Sequence, residues 1–192
     1  MKIIITSLIS KLFEPLVVLT VLAIVAAFHA GLSSAEIVGY LFVITCFMII
    51  PVIIFRIWYM KTYAADWDVR DRKKRIIPLL LQMAVLILDI VMIHVLWHRP
   101  ALTYVFVLFF VWLVGFTLVT TQWKISGHAG TNAMVTGLLI SWYGWRWWPV
   151  LLIVPLVGWA RVVRRDHTVA QVIAGAAYSW GLIQLVQLVK FV

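Results

Sequence analysis

Three short stretches of the chain carry the residues able to do chemistry: "DVRDRKKR" at 68–75, "SGH" at 126–128 and "ARVVRRDHTVAQ" at 160–171. Each is poor in apolar side chains and rich in groups that suit an oxyanion. Arginine presents a planar fork of donors to phosphate or carboxylate, and lysine adds a mobile point charge. Ser126 and the Gly127 amide can donate hydrogen bonds, and a helix beginning there turns its first amides toward the same anion. His128 and His167 complete the set, because imidazole changes charge near neutral pH and serves as nucleophile, acid or base. Together these residue types describe a site for a phosphate-like anion with two imidazoles at hand.

The elements that must position them are membrane helices. Hydrophobic residues make up 65% of the 192 and charged residues 12%, a balance that excludes the functions of soluble domains. Apolar stretches run to about 20 residues, the length a helix needs to cross a hydrocarbon core of about 30 Å. The strict in-and-out alternation of a membrane barrel is absent. The expected fold is all-α, a polytopic integral membrane bundle of six to seven transmembrane helices. Spans are expected near residues 10–29, 36–59, 76–97, 101–122, 129–144, 147–164 and 168–190. With no internal repeat, low-complexity tract or linker, residues 1–192 read as one domain. The first apolar segment reads as a retained helix, not a cleaved signal peptide, because Lys11 interrupts its early part. The single cysteine, Cys46, lies in an apolar run and is read as packing.

Seven spans place the N-terminus, the polar loop 56–75 and the ends of the fourth and sixth spans on one membrane face. Thirteen of the sixteen lysines and arginines fall there, leaving Arg99, Arg146 and Lys190 on the other. The positive-inside rule makes the crowded face cytoplasmic, in a cell or inner membrane. The net charge of +9 is then topology plus an anion site, and no nucleic-acid partner is needed to explain it. All three chemistry-bearing stretches share this face.

In order and spacing they resemble the type 2 phosphatidic acid phosphatase (PAP2) superfamily of membrane lipid phosphatases, whose motifs are written KX6RP, PSGH and SRX5HX3D. The second motif matches at Ser126, Gly127 and His128, with Ile125 in the proline slot. The third matches at Arg161 and His167, with Ala160 in the serine slot and Gln171 in that of the final aspartate. The first fails as a literal pattern: anchored on Pro78, it puts Arg70 in the lysine slot and Ile77 in the arginine slot, so only a basic cluster remains. The resemblance implies a metal-independent phosphatase without a cofactor, acting on a lipid phosphate in the bilayer. It implies a nucleophilic His167 that forms a phosphohistidine, a general acid at His128, and phosphoryl-oxygen binding by Ser126, Gly127 and Arg161. Arg72, Lys73 and Arg75 stand for the first motif; Arg72 and Arg75 share a helix face if the third span starts early. Gln171 can still accept a hydrogen bond from His167 but cannot stabilise its charge.

Other residues have plainer readings. Arg164 and Arg165 suit lipid headgroups at a helix end, His29, His94 and His98 suit capping or packing, and the tryptophans of "SWYGWRWWP" suit an aromatic belt. Asp89, mid-span, should face the bundle interior. Asp166, adjacent to His167, is badly angled to assist it. Two alternatives stand beside the phosphatase: a Mg²⁺-dependent intramembrane prenyltransferase, suggested by Asp66, Asp68 and Asp71, and a non-catalytic lipid-phosphate binder or transporter.

Overall fold

The computed structural model describes residues 2–64, 66–69 and 71–188, and all regular secondary structure among them is helical. Arg70 and Lys190 lie outside the described residues. The α-helices are α1 (Lys2–Leu12), α2 (Pro15–His29), α3 (Ser34–Ile44), α4 (Ile50–Tyr63), α5 (Arg72–Trp97), α6 (Pro100–Gln122), α7 (Gly127–Tyr143), α8 (Ile153–Val163) and α9 (Val169–Leu188). A π-helical turn, Thr45–Ile49, joins α3 to α4, and a 3-10 segment, Trp145–Leu152, leads into α8.

Five of these stretches are long and apolar enough to cross a membrane: Ser34–Tyr63, Arg72–Trp97, Pro100–Gln122, Trp145–Val163 and Val169–Leu188. A sixth arises if α1 and α2, bent by 41° at their break, count as one span. The protein is an integral membrane protein. α7, with 17 residues, lies at the lower end of the range that bridges a bilayer.

The chain divides into two compact units, one of residues 23–124 and the other of residues 1–22 and 125–192. In the first, α5 packs along α6 and touches α3, the π turn and α4. Its helix starts are written in polar side chains. Ser33 and Glu36 form a reciprocal capping box at α3, and the Asp71 carboxylate accepts the Lys73 amide at 2.9 Å. That cap starts α5 at Arg72, four residues ahead of the apolar run. At the other end His98 takes a left-handed conformation, φ +49°, and closes the helix.

The second unit is built around α7, whose residues His128–Leu138 are all buried. Its sequence there, HAGTNAMVTGL, is rich in small residues, which let neighbouring helices approach closely where no hydrophobic effect drives them together. α9, α8 and the 3-10 segment pack on α7, and α1 packs on α8. Adding a Cβ to Gly175 of α9 would put it 2.5 Å from the Ser126 carbonyl oxygen, so this crossing requires glycine.

Candidate active site

The second unit assembles the "SGH" turn and the 160–171 stretch through three local motifs. The first is the start of α7. Ser126 is its N-cap: its Oγ accepts the Ala129 amide at 3.3 Å and its carbonyl accepts Gly130 N–H at 2.9 Å. Because that Oγ serves as an acceptor, its own proton remains to be donated. Gly127 and His128 occupy the first turn, where amides lack helical partners and the helix dipole favours an anion.

The second motif ends α8. The Asp166 amide donates to the Arg161 carbonyl at 3.0 Å and the Arg165 amide to the Val162 carbonyl at 2.9 Å, with Arg165 left-handed at φ +57°. This is a Schellman turn built without glycine. It reverses the chain one residue before His167, whose amide also reaches the Arg161 carbonyl, at 3.4 Å. The five-residue spacing between Arg161 and His167 is therefore the length of a helix-terminating turn.

The third motif starts α9. The Thr168 Oγ1 accepts the Gln171 amide at 3.3 Å while Gln171 Oε1 accepts the Thr168 amide at 3.2 Å, a capping box of the Thr-x-x-Gln type. The same Oε1 lies 3.2 Å from His167 Nδ1. An amide oxygen only accepts, so Nδ1 carries a proton, and in the neutral ring the lone pair is then on Nε2. Gln171 also accepts the Ser126 amide on its main-chain carbonyl, at 3.0 Å. One residue thus orients His167 with its side chain and anchors the "SGH" turn with its backbone.

Charge is concentrated beneath these groups. Arg161 is 1% exposed; its Nη2 lies 3.3 Å from Asp166 Oδ2, which also takes Arg164 Nε at 2.8 Å. Asp166 therefore serves the arginines, and Arg164, expected at the lipid headgroups, is turned inward to it. His128 and His167 are both buried.

Residues 119–191 match the profile of the PAP2 superfamily. The match is confined to this stretch. It contains Ser126, Gly127, His128, Arg161, His167 and Gln171 and leaves out the basic cluster at 68–75. A 61-residue stretch is 38% identical to a lipid A 4′-phosphatase of Helicobacter pylori (strain J99), covering 31% of this chain and 31% of that protein. The match thus spans about a third of the relative's length. No solved structure matches significantly.

The remaining expected ligands belong to the unit of residues 23–124. Arg72 Nη1 donates to the Thr121 carbonyl at 2.7 Å and to that of Gln122, the last turn of α6. Arg75 Nε donates to the Val69 carbonyl at 2.6 Å and Lys74 Nζ to the Tyr63 carbonyl at 2.9 Å. Lys73 is exposed at the first turn of α5. Arg72 and Arg75 do share one helix with an early start, and both guanidinium groups are engaged with chain carbonyls. Asp71, one of the three acids suggestive of a magnesium motif, caps α5.

Sequence reading missed three residues around the matched stretch. Thr168 had a signal, since Thr-x-x-Gln before an apolar run announces a capping box. Gly175 had a weaker one, a glycine one turn beyond Gln171. Asn132 had none: its Nδ2 donates to the His128 carbonyl at 2.8 Å and to that of Phe13 at 3.0 Å, a partner 119 positions away.

Proposed function

We propose that the protein is a membrane lipid phosphatase of the PAP2 type, hydrolysing a lipid phosphate monoester or diphosphate without a metal. His167 Nε2 attacks phosphorus as the bond to the leaving oxygen breaks, and His128, protonated, gives its proton to that oxygen. Water then attacks the phosphohistidine while His128 takes up its proton; the P–N bond breaks, inorganic phosphate leaves and His167 returns neutral. Arg161, the Ser126 hydroxyl and the Gly127 amide hold the phosphoryl oxygens, where preorganised donors lower the barrier most. Arg72, Lys73 and Arg75 keep the anion-binding role that the motif order gives their cluster. The observation that carries this reading is the bond from His167 Nδ1 to Gln171 Oε1, which leaves Nε2 as the nucleophilic nitrogen.

The proposed substrates are phosphatidate, phosphatidylglycerophosphate, polyprenyl diphosphates and, from the name of the H. pylori relative, a phosphorylated lipid A. The proposed site faces the cytoplasm from the inner membrane, on the charge bias of the loops. A cysteine-accessibility scan of residues 124–126 against Arg99 tests that orientation, and labelling of the "SGH" turn from outside alone overturns it.

The decisive assay is phosphate release from these four lipids by purified protein in detergent with EDTA, comparing wild type with His167→Ala. Release that persists in EDTA and falls on the order of 10³-fold or more in the variant is expected. Turnover of a prenyl diphosphate that needs Mg²⁺ and an acceptor would replace this reading with the prenyltransferase. Silence in both assays would leave a non-catalytic binder.

A further inference from the structure

The unit that carries both histidines contains two acidic residues, Glu14 and Asp166. Asp166 is taken by Arg161 and Arg164. Glu14 has no part in the mechanism above, yet it is buried, at 8% exposure. It occupies the break between α1 and α2, where its Oε2 accepts the Leu16 amide at 2.9 Å. That bond caps α2 ahead of Pro15 and engages one carboxylate oxygen. Capping does not itself require burial: Ser33 and Asp71 cap α3 and α5 from exposed positions. A glutamate is almost never fully buried without a charged or strongly donating partner.

The chain beside Glu14 is fastened to the helix that carries His128. The carbonyl of the preceding residue, Phe13, accepts Asn132 Nδ2 at 3.0 Å, and the same nitrogen donates to the His128 carbonyl at 2.8 Å. Asn132 is 1% exposed, so this clamp is dry. It fastens the α1–α2 corner to the first turn of α7, with one amide bridging the carbonyls of Phe13, the residue before Glu14, and His128. The other charged or titratable groups on the elements around His128 are Lys2 and Lys11 on α1, Arg146 on the 3-10 segment, and Arg161, Arg164, Arg165, Asp166 and His167 along α8 and its turn. α9 carries Tyr178 and α7 itself ends in Tyr143. Apart from Asp166, which is committed to arginines, and the two tyrosines, which are neutral near pH 7, every one of them is cationic or is the other imidazole.

We propose that Glu14 is a positioning residue for His128, its second carboxylate oxygen holding that imidazole in the protonated form that the general acid requires. This rests on the proposed role of His128. It also gives the glutamine in the third motif a purpose. Uncharged Gln171 leaves His167 neutral, as a nucleophile must be, while Glu14 keeps His128 cationic. Two identical side chains are thereby driven to opposite protonation states by their neighbours.

The test is a pH titration by NMR of the protein carrying ¹³C-labelled histidine in detergent micelles, for wild type, Glu14→Gln and Glu14→Asp, with His128→Ala for assignment. In wild type the His128 signal should titrate about one pH unit or more above the ordinary histidine value of about 6.5. Glu14→Gln should bring it down by about a unit or more, Glu14→Asp by less, and His167 should stay in place. In parallel, Glu14→Gln should lower kcat about tenfold or more near pH 8 and move its alkaline limb to lower pH, with KM changed less than about twofold. A His128 titration unchanged by Glu14→Gln, with an unchanged kcat profile, overturns the proposal and leaves Glu14 a helix cap. If Glu14→Gln does not fold, the wild-type titration decides alone, an ordinary or lowered value for His128 overturning it. If the titration shifts as expected and no lipid phosphate is hydrolysed, the pairing stands and the phosphatase reading falls.

Discussion

Arg161 and Arg72 both suit a phosphate by residue type, and the two units use them in opposite ways. Arg161 is buried to 1% exposure and faces Asp166 across 3.3 Å, held by the turn that ends its own helix. Arg72 keeps part of its surface open and spends its guanidinium on the last carbonyls of α6. The acids differ in the same way. Asp166 serves two arginines, whereas Asp89 on α5 is fully buried and neither carboxylate oxygen has a hydrogen-bond partner among the described residues. A buried charge persists where backbone motifs bring a counter-charge to it, and the stretch 160–171 supplies those motifs within about ten residues.

Removing Arg161 should break this comparison most severely. Arg161→Ala leaves Asp166 buried with one of its two cations gone, and a loss of about 3–5 kcal/mol is expected from thermal or denaturant unfolding in detergent. A melting point within a degree or two of wild type would show that the pair is not structural. Gly175→Ala comes next. Its methyl group would meet the Ser126 carbonyl at 2.5 Å, so the "SGH" turn must move; a displacement of about 1 Å costs roughly 10²-fold in kcat, alongside about 1–3 kcal/mol of overpacking. Wild-type kinetics in that variant would mean that the turn has slack.

Asp89→Leu should sharpen the contrast by changing its sign. It removes a buried carboxyl that lacks a hydrogen bond and keeps its volume roughly filled, so a gain of about 1–3 kcal/mol is expected in the same unfolding experiment. A destabilised variant would reveal a partner for Asp89. The smallest effect belongs to Arg72→Ala, which frees carbonyls that water can satisfy at a helix end. About 1 kcal/mol or less of stability should go, and any change in phosphate release should be in KM more than in kcat. A kcat loss as large as that of Arg161→Ala would place Arg72 in the reaction itself.

Much of the architecture was legible in the chain. The apolar runs mark the spans, because hydropathy over about 20 residues is a local property. The order of basic cluster, "SGH" and Arg-x5-His marks the motifs. Even the odd glutamine was half legible, since Thr168 and Gln171 spell a capping box. Two details of the spans were not legible in composition. Glu14 and Pro15 interrupt the first apolar segment, and α7, a helix of 17 residues, is buried along most of its length.

What the sequence determined by itself is the helical membrane class and the spacing of Arg161, His167 and Gln171, because runs, caps and turns depend on residues within about six positions of one another. Only the tertiary structure decided that Asn132 ties Phe13 to His128, that Gly175 lies against Ser126, and that Glu14 is buried in the unit of the two histidines. These depend on which helix faces meet, and close packing between segments far apart in the chain, 119 positions for Asn132 and Phe13, leaves no periodicity in the chain to read.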